Sequence, residues 1–347
     1  MHHSATMLGT AAFISNPIYL AILGAGIMCA ASLSAAVAVG SQLGLSPGRR
    51  ALFHWTPIAA AVFMARIMGW PDIAIGIIFG TSVAVLSTAV GSLCTIAPVG
   101  PAPARWKRLW PFTLVAAMIV FVSGFNGLLT WRHGVALGLE GLVILSLWRD
   151  PTAEHDWVPP ILDPSRPIVP NEIAWLVSAL SLFIAAAGAY LAVRGTVGMT
   201  HLRFHASPGA LAASLLSLAL TTPLVQSGRP LAAVGASWIP MTAQVGVVLL
   251  NLCVLLPAIA LAPYAGALLH VRTIQVGGRM AFDWDSFAPQ ATIFPLAAWR
   301  IDTVVIIILS TLLLPVAVGK WNLGKEEGML LIVGYCVYLL AVMVAGI

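Results

Sequence analysis

Charge is what this chain has least of. Asp, Glu, Lys and Arg together make up 8% of its 347 residues, where a soluble domain carries about 25%. That scarcity excludes an ordinary water-facing surface. With 60% hydrophobic residues and a mean hydropathy of +0.96, no soluble fold of this length could hide the apolar area, so the solvent is lipid. Cysteine is scarce too. Cys29, Cys94, Cys253 and Cys336 stand singly in apolar runs without C-x-x-C spacing, which argues against a disulfide framework and a metal site. No P-loop, dinucleotide fingerprint, haem motif, H-E-x-x-H sequence or catalytic-triad context occurs, so neither an enzyme nor a cofactor is expected. The net charge of +5 does not call for nucleic acid, because Lys and Arg in such a chain mainly set orientation. The first apolar run, about 10–40, is longer than a signal-peptide core and lacks a basic leader, so no cleavable signal is expected.

What is present is a series of apolar runs, each near the roughly 20 residues that span a bilayer. Ten spans are expected: 14–39, 48–69, 72–97, 109–126, 131–148, 172–195, 208–235, 239–269, 301–318 and 328–346. Backbone groups in lipid must bond within their own segment, so the spans are helices. The expected fold class is an all-α integral membrane protein. A proline- and acid-rich stretch, 150–171, reads as a linker between two five-helix halves, 1–149 and 172–347. Five being odd, the second half is inverted relative to the first. A second polar excursion, Val271 to about Pro295, lengthens the second half.

Basic residues set the expected orientation. With the N-terminus outside, Arg49, Arg50, Arg105, Lys107, Arg108, Arg149, Arg166, Lys320 and Lys325 are cytoplasmic. Arg132, Arg194, Arg203, Arg272, Arg279 and Arg300 lie opposite. The bias and the Arg105–Arg108 cluster favour this orientation, and a bacterial inner membrane is the expected location. Most tryptophans, Trp70, Trp110 and Trp321 among them, fall near span ends, where aromatic belts form.

One pattern occurs twice. Pro57 is followed by Gly69 and Gly80, and Pro223 by Gly235 and Gly246, at the same offsets. A duplicated, proline-broken apolar segment is how many transporters build a midplane site from two halves. Pro57 and Pro223 are the expected helix breaks.

These residues resemble the calcium/cation antiporter superfamily, the sodium/calcium exchanger fold. That family carries a G-T-S-x-P-E type motif in each half, then a short turn and a helix opening D-I-A-x-G-x-x-x-G-S. Pro57 falls on the motif proline, and Asp72-Ile73-Ala74-Ile75-Gly76-Ile77-Ile78-Phe79-Gly80-Thr81 on the second segment. Ser207-Pro208, Asn251, Arg300-Ile301-Asp302 and the closing Lys325–Leu331 run with Tyr335 and Tyr338 match further landmarks. The resemblance implies two inverted five-helix repeats and ion exchange at their interface. The family's ion-binding carboxylates follow the motif prolines, and here those positions hold Ile58 and Leu224. Calcium takes six to eight oxygen ligands, which two alkyl side chains do not supply. Calcium exchange by the family mechanism is therefore not expected, and no metal site is assigned.

The polar groups left at the centre are His54, Thr56, Thr81, Ser82, Thr221, Thr222, Gln226, Ser227, Thr242, Gln244 and Asn251. The candidate substrate-binding residues among them are His54, Thr56, Thr81, Ser82, Thr221, Thr222, Thr242, Gln244 and Asn251. They suit a small ion or a neutral solute; equally, they can knit helices together, at about 0.6 kcal/mol per interaction. His54, three residues before Pro57, either carries a proton or bonds a freed carbonyl. Arg66 and Arg229 either bind an anion or snorkel to the interface. Glu140 is a proton-relay group or pairs with a neighbouring helix. Asp72 and Asp302 read as helix-start residues favoured by the dipole. Two functions follow. One is a secondary transporter with an altered, non-calcium substrate. The other is a transport-inactive membrane subunit held by partner subunits in a larger complex.

Overall fold

The computed structural model describes residues 16–40, 47–100, 108–148, 171–200, 207–233, 235–269, 273–276, 279–282, 292–293 and 296–345. Helix follows wherever the apolar runs were expected. The segments are α1 (Pro17–Gly40), α2 (Pro47–Ile67), α3 (Pro71–Ile96), α4 (Trp110–Asn126), α5 (Trp131–Trp148), α6 (Asn171–Thr200), α7 (Pro208–Ala233), α8 (238–269), α9 (Leu296–Val318) and α10 (Lys325–Ala345). Seven of these, α1, α3, α6, α7, α8, α9 and α10, are long and apolar enough to cross a bilayer by themselves. The other three have local reasons to fall short: α4 is shorter, α2 carries Arg49, Arg50 and Arg66, and α5 carries Arg132 and Glu140. The protein is an all-α integral membrane protein. Large apolar side chains such as Phe183, Leu330 and Val344 point outward from α6 and α10, where lipid covers them.

Little strand is present among the described residues. β1 (Leu128–Leu129) pairs antiparallel with β4 (Thr292–Ile293), and β2 (Thr273–Val276) with β3 (Arg279–Phe282). The polar excursion after α8 thus contains a small hairpin. Of the expected 150–171 linker, 150–170 lies outside the described residues and Asn171 opens α6; Arg105, Lys107, Arg149, Arg166, Arg203 and Arg272 also lie outside them, as do the side chains of Arg49 and Arg279.

The centre is built by α3 and α8. In the most apolar 18-residue stretch of each, 94% of the α3 residues and 78% of the α8 residues are buried. The strongest pairings are α1 with α6, α3 with α7, α3 with α10, α5 with α8, α3 with α8, α2 with α8, and α4 with α9. Exchanging the first five helices for the last five maps these pairings onto one another.

The matching extends to local geometry. Gly69 and Gly235 end α2 and α7 with φ of 82° and 79°, a left-handed conformation that glycine adopts without steric cost. Each sits in the same helix-ending pair of bonds: Gly69 N–H donates to Arg66 and Trp70 N–H to Ala65, while Gly235 N–H donates to Ala232 and Ala236 N–H to Leu231. Sixteen residues beyond each glycine, α3 and α8 carry a π turn, Val85–Ala89 and Asn251–Leu255. Such insertions are frequent at functional sites.

Pro57 and Pro223 do not interrupt their helices. α2 is helical across Pro57, and α7 runs helical from Ser217 to Ala233 across Pro223. A proline removes one N–H and releases the carbonyl four residues earlier, here Phe53 and Ala219. The preceding threonines do not replace the lost donors: the Thr56 hydroxyl donates to the Leu52 carbonyl at 2.8 Å and Thr222 to Leu218 at 3.0 Å, each one residue before the released carbonyl. The expected breaks are corrected to prolines within continuous helix.

Candidate functional site

Arg50 and His54 are four residues apart on α2, so they share one face of the helix. That face meets α7 and α8. Both side chains are buried. The His54 Nε2 and the Ser227 hydroxyl on α7 share a hydrogen bond of 3.0 Å. Beside them lies a cavity of about 10 Å³ lined by Arg50, His54, Ser227, Gln244, Leu224 and Pro240, among others. That volume is room for about one water molecule. Gln244, on α8, is 1% exposed, and neither its amide nitrogen nor its carbonyl oxygen has a partner. A buried amide left so is costly, by about 1–3 kcal/mol per group, which marks the cavity as a place for a polar occupant.

A second polar cluster lies deeper. Asn251 opens the π turn of α8, and its Nδ2 donates to Thr81 Oγ1 at 2.9 Å and to Ser82 Oγ at 3.2 Å on α3. All three are fully buried, and Asn251 Oδ1 has no partner. The bond joins the middle helices of the two halves.

The positions after the two prolines are dry. Ile58 is 0% and Leu224 2% exposed, both in the main apolar core. Leu224 also forms part of the cavity wall. Among the described residues, no group of three or more His, Cys, Asp or Glu side chains is placed to hold a metal.

The structure divides the nine candidate residues. His54 and Gln244 line the cavity, and Thr81, Ser82 and Asn251 form the deeper cluster. Thr56, Thr221, Thr222 and Thr242 are outside both, each donating to a carbonyl of its own helix: Leu52, Leu218, Leu218 and Trp238. Thr81 and Ser82 do the same toward Ile77 and Ile78, at 2.6 and 2.7 Å, and accept from Asn251 only with their remaining lone pairs.

Two residues of the cavity were missed as candidates. Arg50, counted as a cytoplasmic loop residue, is 6% exposed inside α2. Its spacing of four from His54 was the available signal. Ser227 stood in the polar inventory, and only its cross-helix bond to His54 distinguishes it. Arg229 is exposed, and Arg66 sits half-buried in the last turn of α2; neither lines the cavity. Glu140 lies beside the Cys253 thiol in the π turn of α8, so its neighbour is a thiol rather than an arginine.

Asp302 requires a correction. It lies well inside α9 rather than at its start, is fully buried, and accepts a 3.0 Å hydrogen bond from the Tyr338 hydroxyl on α10. Asp72, exposed in the first turn of α3, keeps its dipole-favoured place. Tyr338→Phe is expected to lower stability by about 1–3 kcal/mol, since it strips the one partnered oxygen of a buried carboxyl group. Thermal unfolding in detergent measures it, with the exposed Tyr190→Phe as the comparison.

No protein-family model matches the sequence, and no curated protein matches it. Solved structures do. The crystal structure of the H+/Ca2+ exchanger CAX superposes with a TM-score of 0.70 at 12% identity, over 99% of this chain and 88% of that one. Native YfkE gives 0.69 at 13%, over 98% and 96%. The sodium-calcium exchanger NCX_Mj, soaked with 2.5 mM Na+ and 0.1 mM Ca2+, gives 0.60 at 14%, over 93% and 97%. Matched over nearly its whole length at such low identity, the chain has the fold of the calcium/cation exchangers.

Proposed function

We propose that the protein is a secondary transporter on the exchanger fold whose cargo is a small ion or solute other than calcium. The observation that carries the reading is a substitution of chemistry at the centre. The two positions that would hold carboxylates are alkyl and dry, while a polar chamber with a buried arginine lies beside one of them. Ten spans in two inverted repeats, 1–149 and 172–347, account for the exchangeable helix pairings and the matched glycines, prolines and π turns. The orientation we adopt places the N-terminus outside, in a bacterial inner membrane. That such a fold moves ions at all is carried by likeness to the exchangers named above.

A second reading, a transport-inactive subunit of a membrane complex, is favoured by one set of observations. Thr56, Thr81, Ser82, Thr221, Thr222 and Thr242 donate their hydroxyl protons to their own helices, and Ile58 and Leu224 are packed. Solid-supported-membrane recordings separate the two. Proteoliposomes are exposed to concentration jumps of NaCl, KCl, sodium gluconate and CaCl2 at fixed ionic strength. The transport reading expects a transient for at least one monovalent salt, none specific to calcium, and loss of the transient in His54→Ala. Silence toward every salt and toward pH jumps favours the inactive subunit.

A further inference from the structure

We propose that the chamber between α2, α7 and α8 binds one halide-sized monovalent anion. This deepens the transport reading and rests on it for the anion's role as cargo. The donors that face the chamber are the Arg50 guanidinium and the Gln244 amide; His54 and Ser227 use one proton on the bond between them, and the Ser227 hydroxyl also lies 3.2 Å from the Leu224 carbonyl, so that pair adds at most one donor more. Arginine carries five N–H donors and no acceptor, and its charge is permanent. Among the described residues, no acidic side chain lines the chamber. Sodium or calcium entering it would meet two side-chain oxygens and a like charge, whereas calcium alone takes six to eight oxygens. An anion meets the opposite: a positive group and hydrogen-bond donors in a low-dielectric wall, where such contacts are stronger than in water.

Gln244 supplies the independent signal. Its side chain is 1% exposed, borders the chamber and has both polar ends unused. The amide Nε2 is the donor available to an anion, and Oε1 remains to accept from a guanidinium N–H or a water. The size also discriminates. About 10 Å³ accommodates a single water-sized occupant, so a monatomic anion is a closer match in size than a bulky organic one, and a halide, larger than water, needs the wall to give slightly. The remaining wall, Leu224, Leu231, Pro240 and Ala243, is apolar and suits a weakly hydrated ion better than a strongly hydrated one.

The test uses the full chain purified in detergent. Thermal unfolding is followed in sodium chloride, bromide and gluconate at one ionic strength. A ligand that binds only the folded state raises the midpoint with its concentration. Chloride and bromide are expected to give a saturable rise that gluconate does not. Gln244→Leu and Arg50→Met are expected to weaken apparent halide affinity at least tenfold, and Arg229→Gln, outside the chamber, to leave it unchanged. Should Arg50→Met not fold, a bromide anomalous peak at the chamber of the native protein carries the same information. Equal stabilisation by gluconate, an unaltered rise in Gln244→Leu, or a chamber holding only water in bromide overturns the site. Transport of a cation without halide binding overturns the anion and spares the transporter. Halide binding in protein that is silent in every recording does the reverse.

Discussion

Gly80→Leu is expected to leave almost no folded protein. Gly80 lies where α3 crosses α7, and a Cβ there would collide with the backbone of Ala213 and with Ser217; one turn earlier, Gly76 meets the Gly209 carbonyl in the same way. Close backbone approach through small residues is how helices associate in lipid, where the hydrophobic effect gives no drive between them. In adaptable cores an overpacked side chain costs about 1–3 kcal/mol. Here the obstacle is backbone, so the helices themselves must separate. Separation would also pull Thr81 and Ser82, the next two residues, away from Asn251, removing the buried bonds at 2.9 and 3.2 Å. Yield and monodispersity on size exclusion measure the outcome. Gly26→Ala is the control, because a Cβ there meets nothing within 4 Å and should leave both unchanged.

Ile58→Glu is expected to be the most damaging change of a single core side chain, and calcium is expected not to rescue it. Removing a buried isoleucine costs about 2–5 kcal/mol as a cavity alone. A carboxyl group placed there adds the cost of an unpaired polar group in an apolar site. Pro57 leaves the Phe53 carbonyl without its helical donor, yet that carbonyl and one carboxylate fall short of the coordination calcium takes. Unfolding of Ile58→Glu and Ile58→Ala, each with and without millimolar calcium, tests this. The glutamate variant should melt below the alanine variant in both conditions. A rise with calcium confined to the glutamate variant would show that the rest of the exchanger site is intact.

Much of the fold could be read in the sequence because lipid makes the rule simple. An apolar run must be a helix, and its length is set by the bilayer. The span expected at 131–148 coincides with α5, and that at 72–97 lies within one residue of α3 at either end. α9 begins at Leu296, five residues before its expected start at 301, because the helix runs on past Arg300. The π turns were not legible. They change one hydrogen-bond register inside a helix and leave the apolar pattern intact. The prolines were legible as residues but not as continuous helix, since each removes only one helical bond and the packing of α2 and α7 against their neighbours decides whether the helix goes on.

The candidate site was half legible, for a related reason. A list of polar residues in apolar runs finds His54, Gln244 and Asn251, but it cannot say which hydroxyls are already engaged within their own turn. Six of the nine are, and four of those, Thr56, Thr221, Thr222 and Thr242, lie outside both clusters. Arg50 was hidden by the opposite error. A basic residue near a span end reads as a loop residue, and only the packing of α2 against α8 puts it inside. Asp302 was hidden likewise, its partner Tyr338 lying on a different helix.

The central claim is that the exchanger scaffold persists here without the side chains that hold a divalent cation. The direct measurement is ⁴⁵Ca²⁺ uptake into proteoliposomes of the purified chain, driven in turn by a sodium and by a proton gradient. The predicted result is uptake no greater than in protein-free liposomes under either gradient. Saturable, gradient-dependent calcium accumulation would contradict it.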